Sequence, residues 1–408
     1  MTAQRRARPD TAQAGAVRSE TVEPATAAEV AEPPTAAETV KPATAAETVE
    51  PATAAEVAEI LRSTTGTVVP VGGGTKTGWA APATSCDLLL RTTGLGRVVE
   101  YAPGDLVVVA EAGVPLADLQ RQLAEHGQML ALDPPEAGAT LGGIVSANAS
   151  GPRRLRYGTA RDLLIGVTVA LADGTLARSG GKVVKNVAGY DLGKLYTGAH
   201  GGLGVLVSTT WRLHPLPPVT GAVTVPVPDS AEAGRYAALL ARSTLTPTAV
   251  ELNWSSRAGE LTVLFESSAA SVRAQSRAAI ALLGAGAHAD EVPGWFGARP
   301  TGGLVLRLAH EPFALPRVLD ALPDGASGTA SACTGVAYMA VPTDTDLAAL
   351  RASIAPYDGS AVVIAADDAR DALDHWGPVA DSFDLMTRVK DRFDPERRLS
   401  PGRLLGGL

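Results

Sequence analysis

Cysteine is nearly absent from this chain of 408 residues: Cys86 and Cys333 are the only two. They are too far apart in sequence to suggest a cysteine-ligated cluster or a disulfide framework, and such sparse cysteine fits a reducing compartment. Long apolar runs are missing as well. No stretch reaches the roughly 18 apolar residues that cross a bilayer, and no apolar core of a signal peptide follows Arg5 and Arg6. Positive charge is in deficit. The net charge of −8 argues against nucleic acid as a main partner. These absences predict a cytoplasmic protein without a transmembrane span.

Two nucleotide motifs are also lacking. In "PVGGGTKTGWA", Pro70 to Ala80, a glycine run meets a lysine, which suggests a phosphate loop. A Walker A loop needs Gly directly before the Lys, and here that place is Thr75. No GxGxxG opens a helix early in the chain, so a nicotinamide site of the Rossmann kind is unsupported.

What the chain does have is 46% apolar residues, 43 Gly and 29 Pro. That is enough for a large core in two domains, with many tight turns. Residues 21–56 repeat a unit of nine: "TVEPATAAE", "VAEPPTAAE", "TVKPATAAE", "TVEPATAAE". Each copy carries proline and little apolar bulk, so residues 1–47 read as a disordered repeat linker. Residues 1–56 hold 5 Lys or Arg against 9 Asp or Glu, half of the chain's net charge. Only the last copy runs on into "VAEILR". There Thr53 and Glu56 have capping-box spacing, and Val57, Ile60 and Leu61 share a helical face. The final copy is therefore read as structural, and the upstream copies as its tandem expansion.

Short β-rich runs follow: "TGTVVPVG", "CDLLLRT", "RVVEYAP" and "LVVVAEAG". "VPLADLQRQLAEHG" reads as a helix with Leu116, Leu119 and Leu123 in one stripe and Gly127 as its stop. "LLIGVTVALADGTLARSG" reads as two strands joined at Asp173-Gly174. "GGLGVLVSTTWRLHPLP" reads as a strand leaving through prolines near a domain boundary at 218.

Three segments carry candidate chemistry. The strand-then-glycine turn at Val71, Gly72, Gly73, Gly74, Thr75 and Lys76 can converge backbone N–H groups on an anion. "DPPEAGATLGGIVSANASGPRRLRYGTARD", Asp133 to Asp162, is so poor in bulky apolar side chains that no packed helix or ordinary strand is expected there. It suits backbone threaded against a long, flat, polar ligand. Two glycine-rich segments in one domain favour a dinucleotide. Lastly, Arg153, Arg154, Arg156, Arg161, Lys182, Lys185 and Lys194 form a positive field able to hold a pyrophosphate, with a solvated basic face as the alternative.

Taken together, "PVGGGTKTG", "GATLGG", "ANASGPRRLRYGTARDLLIG", "KNVAGYDLGKLYTGAHGGLGVL" and "FDPERRLSPGRL" resemble, in order and spacing, the FAD-linked oxidases of the vanillyl-alcohol-oxidase or PCMH type. The resemblance covers about residues 48–218 and 385–405. "SGPRR", then "VVKNVAGYDL", then a short second domain look most like the FAD-binding E-type subunits of bacterial glycolate oxidases.

This resemblance implies an α+β protein. A two-subdomain PCMH-type FAD-binding domain would span 48–218 and a smaller α+β cap domain 219–388. Residues 389–408 would return to close the flavin pocket. Val71 to Lys76 would wrap the pyrophosphate. Pro134, Gly138, Thr140, Gly142 and Gly143 would line the adenosine and phosphate side. Ala147, Ala149, Ser150, Gly151 and Tyr157 would approach the ribityl chain and flavin. Gly204 and Val205 would meet the adenine or pyrophosphate through backbone.

Departures from the family pattern matter too. Relatives with covalent flavin often carry His after the first two loop glycines, and this chain has Gly74 there, so non-covalent FAD is expected. Many relatives end in Asn-Pro-Gly, where this chain has Ser400-Pro401-Gly402, and relatives with a "GSEG" turn have an acid in place of His200. The GHxGDGNxH cap motif of hydroxy-acid enzymes is missing. His126, His200, His214, His288, His310 and His375 never pair at ligand spacing, so no metal is expected. No catalytic residue is assigned. His200 reads as structural, and Asp162 and Asp191 as loop anchors.

The implied function is that of an FAD-binding subunit of a 2-hydroxy-acid dehydrogenase. Its partners would be a catalytic flavoprotein subunit and an iron–sulfur subunit, with any contact to the inner face of the membrane made through them. A free-standing flavin oxidoreductase on another hydroxy acid or alcohol, and a non-catalytic FAD-bound scaffold, are the alternatives.

Overall fold

The last repeat copy enters the fold at once. The strand Glu47–Val49 pairs in parallel with Leu88–Arg91, which pairs in parallel with Val68–Val71 on its other side. The computed structural model describes residues 47–182, 191–284, 286–366 and 373–408. The upstream repeat copies and Lys185 lie outside them.

Between the first two strands runs the helix Ala54–Ser63. The Thr53 hydroxyl caps it by accepting from Glu56 N at 3.2 Å. The Glu56 carboxylate accepts from Ala52 N at 2.8 Å, one residue before the cap, so the reciprocal half of the expected capping box is shifted. Val57 and Leu61 are fully buried against Val68, Leu90, Ala170 and Val205. Each such burial is worth roughly 1.5–3 kcal/mol, which fixes the helix under two sheets.

The second sheet has five antiparallel strands, in the order Val98–Ala102, Val107–Glu111, Val205–Arg212, Leu164–Ala170 and Leu176–Gly180. The pair 164–170 and 176–180 turns at Asp173-Gly174, with Gly174 at φ +79°. The helix Leu116–Ala124 buries Leu116, Leu119 and Leu123, and Gly127 at φ +64° ends the turn beyond it.

One expectation is corrected here. Residues 133–162 do form packed helix, in the pieces Leu141–Ala147, Arg154–Tyr157 and Ala160–Leu163. Leu141, Ile144 and Val145 stand at i, i+3 and i+4 and are fully buried, a helical stripe that outweighs the glycines around it.

From Val219 on, the chain builds one eight-stranded antiparallel sheet. Its order is His288–Asp290, Val219–Val227, Ala258–Ser267, Ala249–Ser255, Ser327–Ser331, Val336–Val341, Leu304–Ala309 and Ser360–Ala366. Alternation gives the sheet two unlike faces. One carries Val250, Leu252, Phe265, Leu306 and Met339 and packs under the helices Ser230–Arg242, Ala269–Leu283, Leu315–Ala321 and Leu347–Ile354. The other places Glu251 opposite Ser331, and sets Thr329, Tyr338 and Arg307 in one cross-strand row. This second face meets the first domain. Trp79 and Ala149 pack on Val305, Val336, Tyr338 and Ile364. Arg153 makes a two-pronged ion pair with Glu266, at 2.6 and 3.1 Å.

The chain returns to the first domain in the helix Phe383–Phe393, which starts before the expected residue 389. Lys390 is buried and donates to Gly202 O, Leu399 O and Asp394 Oδ2, at 2.7 to 2.8 Å. Asp394 also accepts from Arg398 N and Leu399 N. So anchored, the segment lies along the first sheet: Val68 N donates to Arg398 O, and Ser400 N to Val68 O.

Candidate functional site

The glycine loop opens where the strand Val68–Val71 ends, and it is packed as tightly as backbone allows. A Cβ on Gly72 would stand 2.2 Å from Thr140 Oγ1, and one on Gly73 would stand 2.1 Å from Gly138 O. Only glycine permits this approach, and Gly74 adds a left-handed turn at φ +73°. The loop is thus seated directly on the second glycine-rich segment. Thr140 caps the helix Leu141–Ala147 by accepting from Gly143 N at 3.3 Å.

Between these pieces lies a cleft with about 80 Å³ of accessible space, open to solvent. Of the residues singled out from sequence, Val71 through Lys76, Thr140, Gly142, Gly143, Ala147, Gly204 and Val205 line it. Gly204, at φ +154°, abuts Val169, where a Cβ would stand 2.5 Å from its methyl group.

The other singled-out residues lie elsewhere. Gly138 supports the loop from outside, and Pro134 is half-buried nearby. Ala149 belongs to the interdomain apolar cluster. Ser150 and Gly151 line a separate crevice. Tyr157 packs its ring on His214, centroids 4.7 Å apart.

The expected positive field is dispersed. Arg153 pairs with Glu266, Arg156 donates to Thr246 O, Lys182 pairs with Glu100, and Lys194 donates to Arg161 O. Among the described residues, none of that cluster lines the cleft. Nearness in sequence placed these side chains on several surfaces because the segment turns through three short helices. Asp162 anchors its turn as expected, accepting from Thr159 N and Oγ1 at 2.8 and 3.0 Å.

The charge in the cleft comes from Lys76. It is buried, donates to Thr75 Oγ1 at 2.8 Å and stands 4.0 Å from Glu136 Oε2. Burial pulls its pKa down to about 8; Glu136 opposes the shift and Arg299 adds to it. Across the domain boundary, Arg299 Nε donates to Glu136 Oε1 at 2.9 Å and its Nη2 to Ser150 O at 3.1 Å. The same guanidinium sits 3.5 Å from the Tyr338 ring centre.

His200 closes another wall. Its backbone takes φ +48° with N donating to Ser146 O, and its ring meets Trp376 edge-on at 5.8 Å. Burial, then the Arg403 and Arg307 guanidiniums, lower its pKa to about 3, so it faces the cleft as a neutral ring. Arg403 joins the wall from the returning segment, donating to Thr77 O at 2.9 Å and Trp79 O at 3.0 Å.

Arg299, Glu136, Ser146 and Arg403 were not read from sequence. Arg403 stood within "SPGRL", but only long-range folding brings it to the loop. Arg299 is an unremarkable cation in a cap without motifs.

A glycine cradle at the end of a parallel strand, a lysine beside it and a separate eight-stranded antiparallel sheet are the architecture of the PCMH-type FAD-binding fold. Residues 45–180 match the family described as "FAD binding domain". This stretch, about a third of the chain, is an FAD-binding domain, and FAD is its cofactor.

Glycolate oxidase subunit GlcE of Escherichia coli (strain K12) is 43% identical over 122 residues, 29% of this chain and 35% of that one. A D-lactate dehydrogenase of Archaeoglobus fulgidus is 32% identical over 228 residues, 51% of each. This chain thus spans from about a third to a half of the curated relatives it matches. An alkyldihydroxyacetonephosphate synthase structure shares the fold, with a TM-score of 0.64 at 15% identity, covering 88% of this chain and 77% of that one.

Proposed function

We propose that this chain is the FAD-binding subunit of a glycolate-oxidase-like 2-hydroxy-acid dehydrogenase that passes electrons to partner subunits. The observation that carries the reading is the seating of Gly72 and Gly73 on Thr140 and Gly138, inside the region matched as an FAD-binding domain. The similarity to a glycolate oxidase subunit supports the choice of substrate class.

The residues fit the cofactor. Backbone at Gly72 and Gly73 leaves no room for a Cβ against the neighbouring segment, and the loop through Gly74 would present N–H groups to a pyrophosphate, with Lys76 supplying the cation. Gly142, Gly143, Gly204 and Val205 would hold the rest of the dinucleotide through backbone contacts. No side chain at Gly74 can tether the flavin, which supports non-covalent binding.

Bound FAD supplies a two-electron acceptor for the hydride on a hydroxyl-bearing carbon. The chain's task would be to orient cofactor and substrate, with Arg403 standing in the wall of the cleft. Onward transfer needs partners. Cys86 is buried, Cys333 is partly buried, and two separate thiols cannot bind an iron–sulfur cluster. A catalytic flavoprotein subunit and an iron–sulfur subunit are the proposed partners.

Affinity purification from the native host tests this. The expected result is a complex of this chain with a second flavoprotein and an iron–sulfur protein, active in glycolate-dependent dye reduction. Full activity from the isolated chain would instead make it a free-standing oxidoreductase.

A further inference from the structure

Lys76 and Arg299 come from different domains and share one carboxylate, that of Glu136. We propose that Glu136 is a positioning residue for the cofactor: it keeps the Lys76 ammonium charged and free to meet the pyrophosphate, and Arg299 of the cap keeps the Glu136–Lys76 pair from closing.

The geometry of the pair carries this. Glu136 Oε1 accepts from Arg299 Nε at 2.9 Å. Its other oxygen, Oε2, is buried, has no hydrogen-bond partner among the described residues and stands 4.0 Å from Lys76 Nζ. A closed ion pair would bring these atoms to about 2.7–2.9 Å. Lys76 donates to Thr75 Oγ1 at 2.8 Å, and an ammonium has three protons, so donors remain for an anion in the cleft. An ammonium bound outright to Glu136 would be withdrawn from the cofactor. A buried ammonium with no carboxylate near it would shed its proton. The half-open pair avoids both.

All three members are fixed by their surroundings. Glu136 lies in a turn closed by Ala139 N, which donates to Glu136 O at 3.2 Å. Pro134 and Pro135 precede it, and Gly138 at φ +75° follows, with the carbonyl on which Gly73 is seated. The segment that seats the glycine loop thus also sets the carboxylate. Lys76 begins a turn in which Trp79 N donates to Lys76 O at 3.1 Å. Arg299 is held across the domain boundary by Ser150 O at 3.1 Å and lies against the Tyr338 ring. While the cap is seated, its bond to Oε1 restrains the Glu136 carboxylate from swinging to Lys76.

The electrostatics agree. Burial lowers the Lys76 pKa to about 8; Glu136 pulls it back up, and Arg299 pushes it further down. Arg403 stands in the same cleft but is turned to Thr77 O and Trp79 O, and His200 is a neutral ring. The charge of Lys76 is thus set from both domains. The inference rests on the proposed contact between Lys76 and the pyrophosphate of FAD.

The test compares full-length wild type, Glu136→Gln and Arg299→Met by two pH profiles. One is the FAD affinity of the apoprotein, by fluorescence titration. The other needs no FAD: the reactivity of the Lys76 amine toward acetic anhydride, read by mass spectrometry of its peptide. Glu136→Gln keeps an acceptor for Arg299 Nε and removes the charge. Its Lys76 should lose the proton about one unit lower than in the wild type, and its FAD affinity should start to fall that much earlier. Arg299→Met frees Glu136 to close on Lys76. There the amine should titrate about one unit higher, and FAD affinity at about pH 7 should drop severalfold, because the cofactor must break the pair. A merely loosened fold would not move the amine profile in opposite directions in the two variants. An amine profile that is unmoved, or moved the other way, in either variant overturns the proposal. Should one variant fail to fold, the other decides by its own sign. Should both fail, the wild-type amine decides: titration near the ordinary 10.5 of lysine overturns the proposal, and titration at about 8 supports it. The two readings fail separately. Undiminished FAD affinity in Lys76→Met removes the pyrophosphate contact and leaves the amine profiles to judge the pairing. Weakened affinity in Lys76→Met with unmoved amine profiles does the reverse.

Discussion

Arg299 of the cap donates to Glu136 of the first domain at 2.9 Å, and Glu136 in turn stands 4.0 Å from Lys76 in the cofactor cleft. One carboxylate thus sits between two cations from different domains. Arg299 thus reaches, through Glu136, the charge of Lys76 in the glycine-loop cleft.

A pH dependence follows from that arrangement. Lys76 has its pKa lowered to about 8, so in cofactor-free protein it is charged below that pH and loses its proton above it. A pyrophosphate prefers the ammonium form. FAD affinity is expected to hold below pH 8 and to fall as the pH rises past it, by up to about tenfold per unit. His200, lowered to about 3, stays neutral throughout and adds no such dependence. Fluorescence titration of apoprotein with FAD from pH 6 to about 10 reads this, and Lys76→Met should flatten the curve.

Gly73→Ala places a methyl group 2.1 Å from the Gly138 carbonyl, a backbone atom that cannot swing aside. Loss of stability of about 1–3 kcal/mol and loss of bound FAD are expected. Urea unfolding and the flavin-to-protein absorbance ratio check both. A variant that keeps full FAD content would remove the glycine cradle from the account.

Asp394→Ala strips the buried Lys390 ammonium of its carboxylate and removes the acceptor for Arg398 N and Leu399 N. A buried charge left unpaired costs about 3–5 kcal/mol. Since Lys390 also binds Gly202 O, the turn that leads to Gly204 should loosen with it. A lowered melting temperature together with weaker FAD binding is expected. Wild-type stability would show that the returning segment is not an anchor.

With glycine at position 74, all flavin should leave the protein on acid precipitation, and the mass of the precipitated chain should equal that of its sequence. An added flavin mass on any peptide contradicts non-covalent binding.

How much of this was legible in the sequence follows from what local chemistry can encode. The Thr53 cap, the Leu116–Leu119–Leu123 stripe, the Asp173-Gly174 turn and the glycine loop are local signals, and each appears in the structure where it was read. The helix Leu141–Ala147 was concealed by its glycines, although Leu141, Ile144 and Val145 carried the period. Lys76, Glu136 and Arg299 could not be joined from sequence, because only the seating of the cap brings residues 76, 136 and 299 together. The polar row through Thr329, Tyr338 and Arg307 was hidden for the same reason: strand alternation shows which side chains share a face, but not which strands are neighbours.

The central claim is that FAD held by this chain lies on the electron path of a hydroxy-acid dehydrogenase assembly. Its most direct test is glycolate-dependent dye reduction by the native assembly, isolated once with the wild-type chain and once with the FAD-deficient Gly73→Ala chain. The account predicts that the rate falls at least about tenfold in the second preparation while the partners remain bound. An undiminished rate with the FAD-deficient chain in place would contradict it.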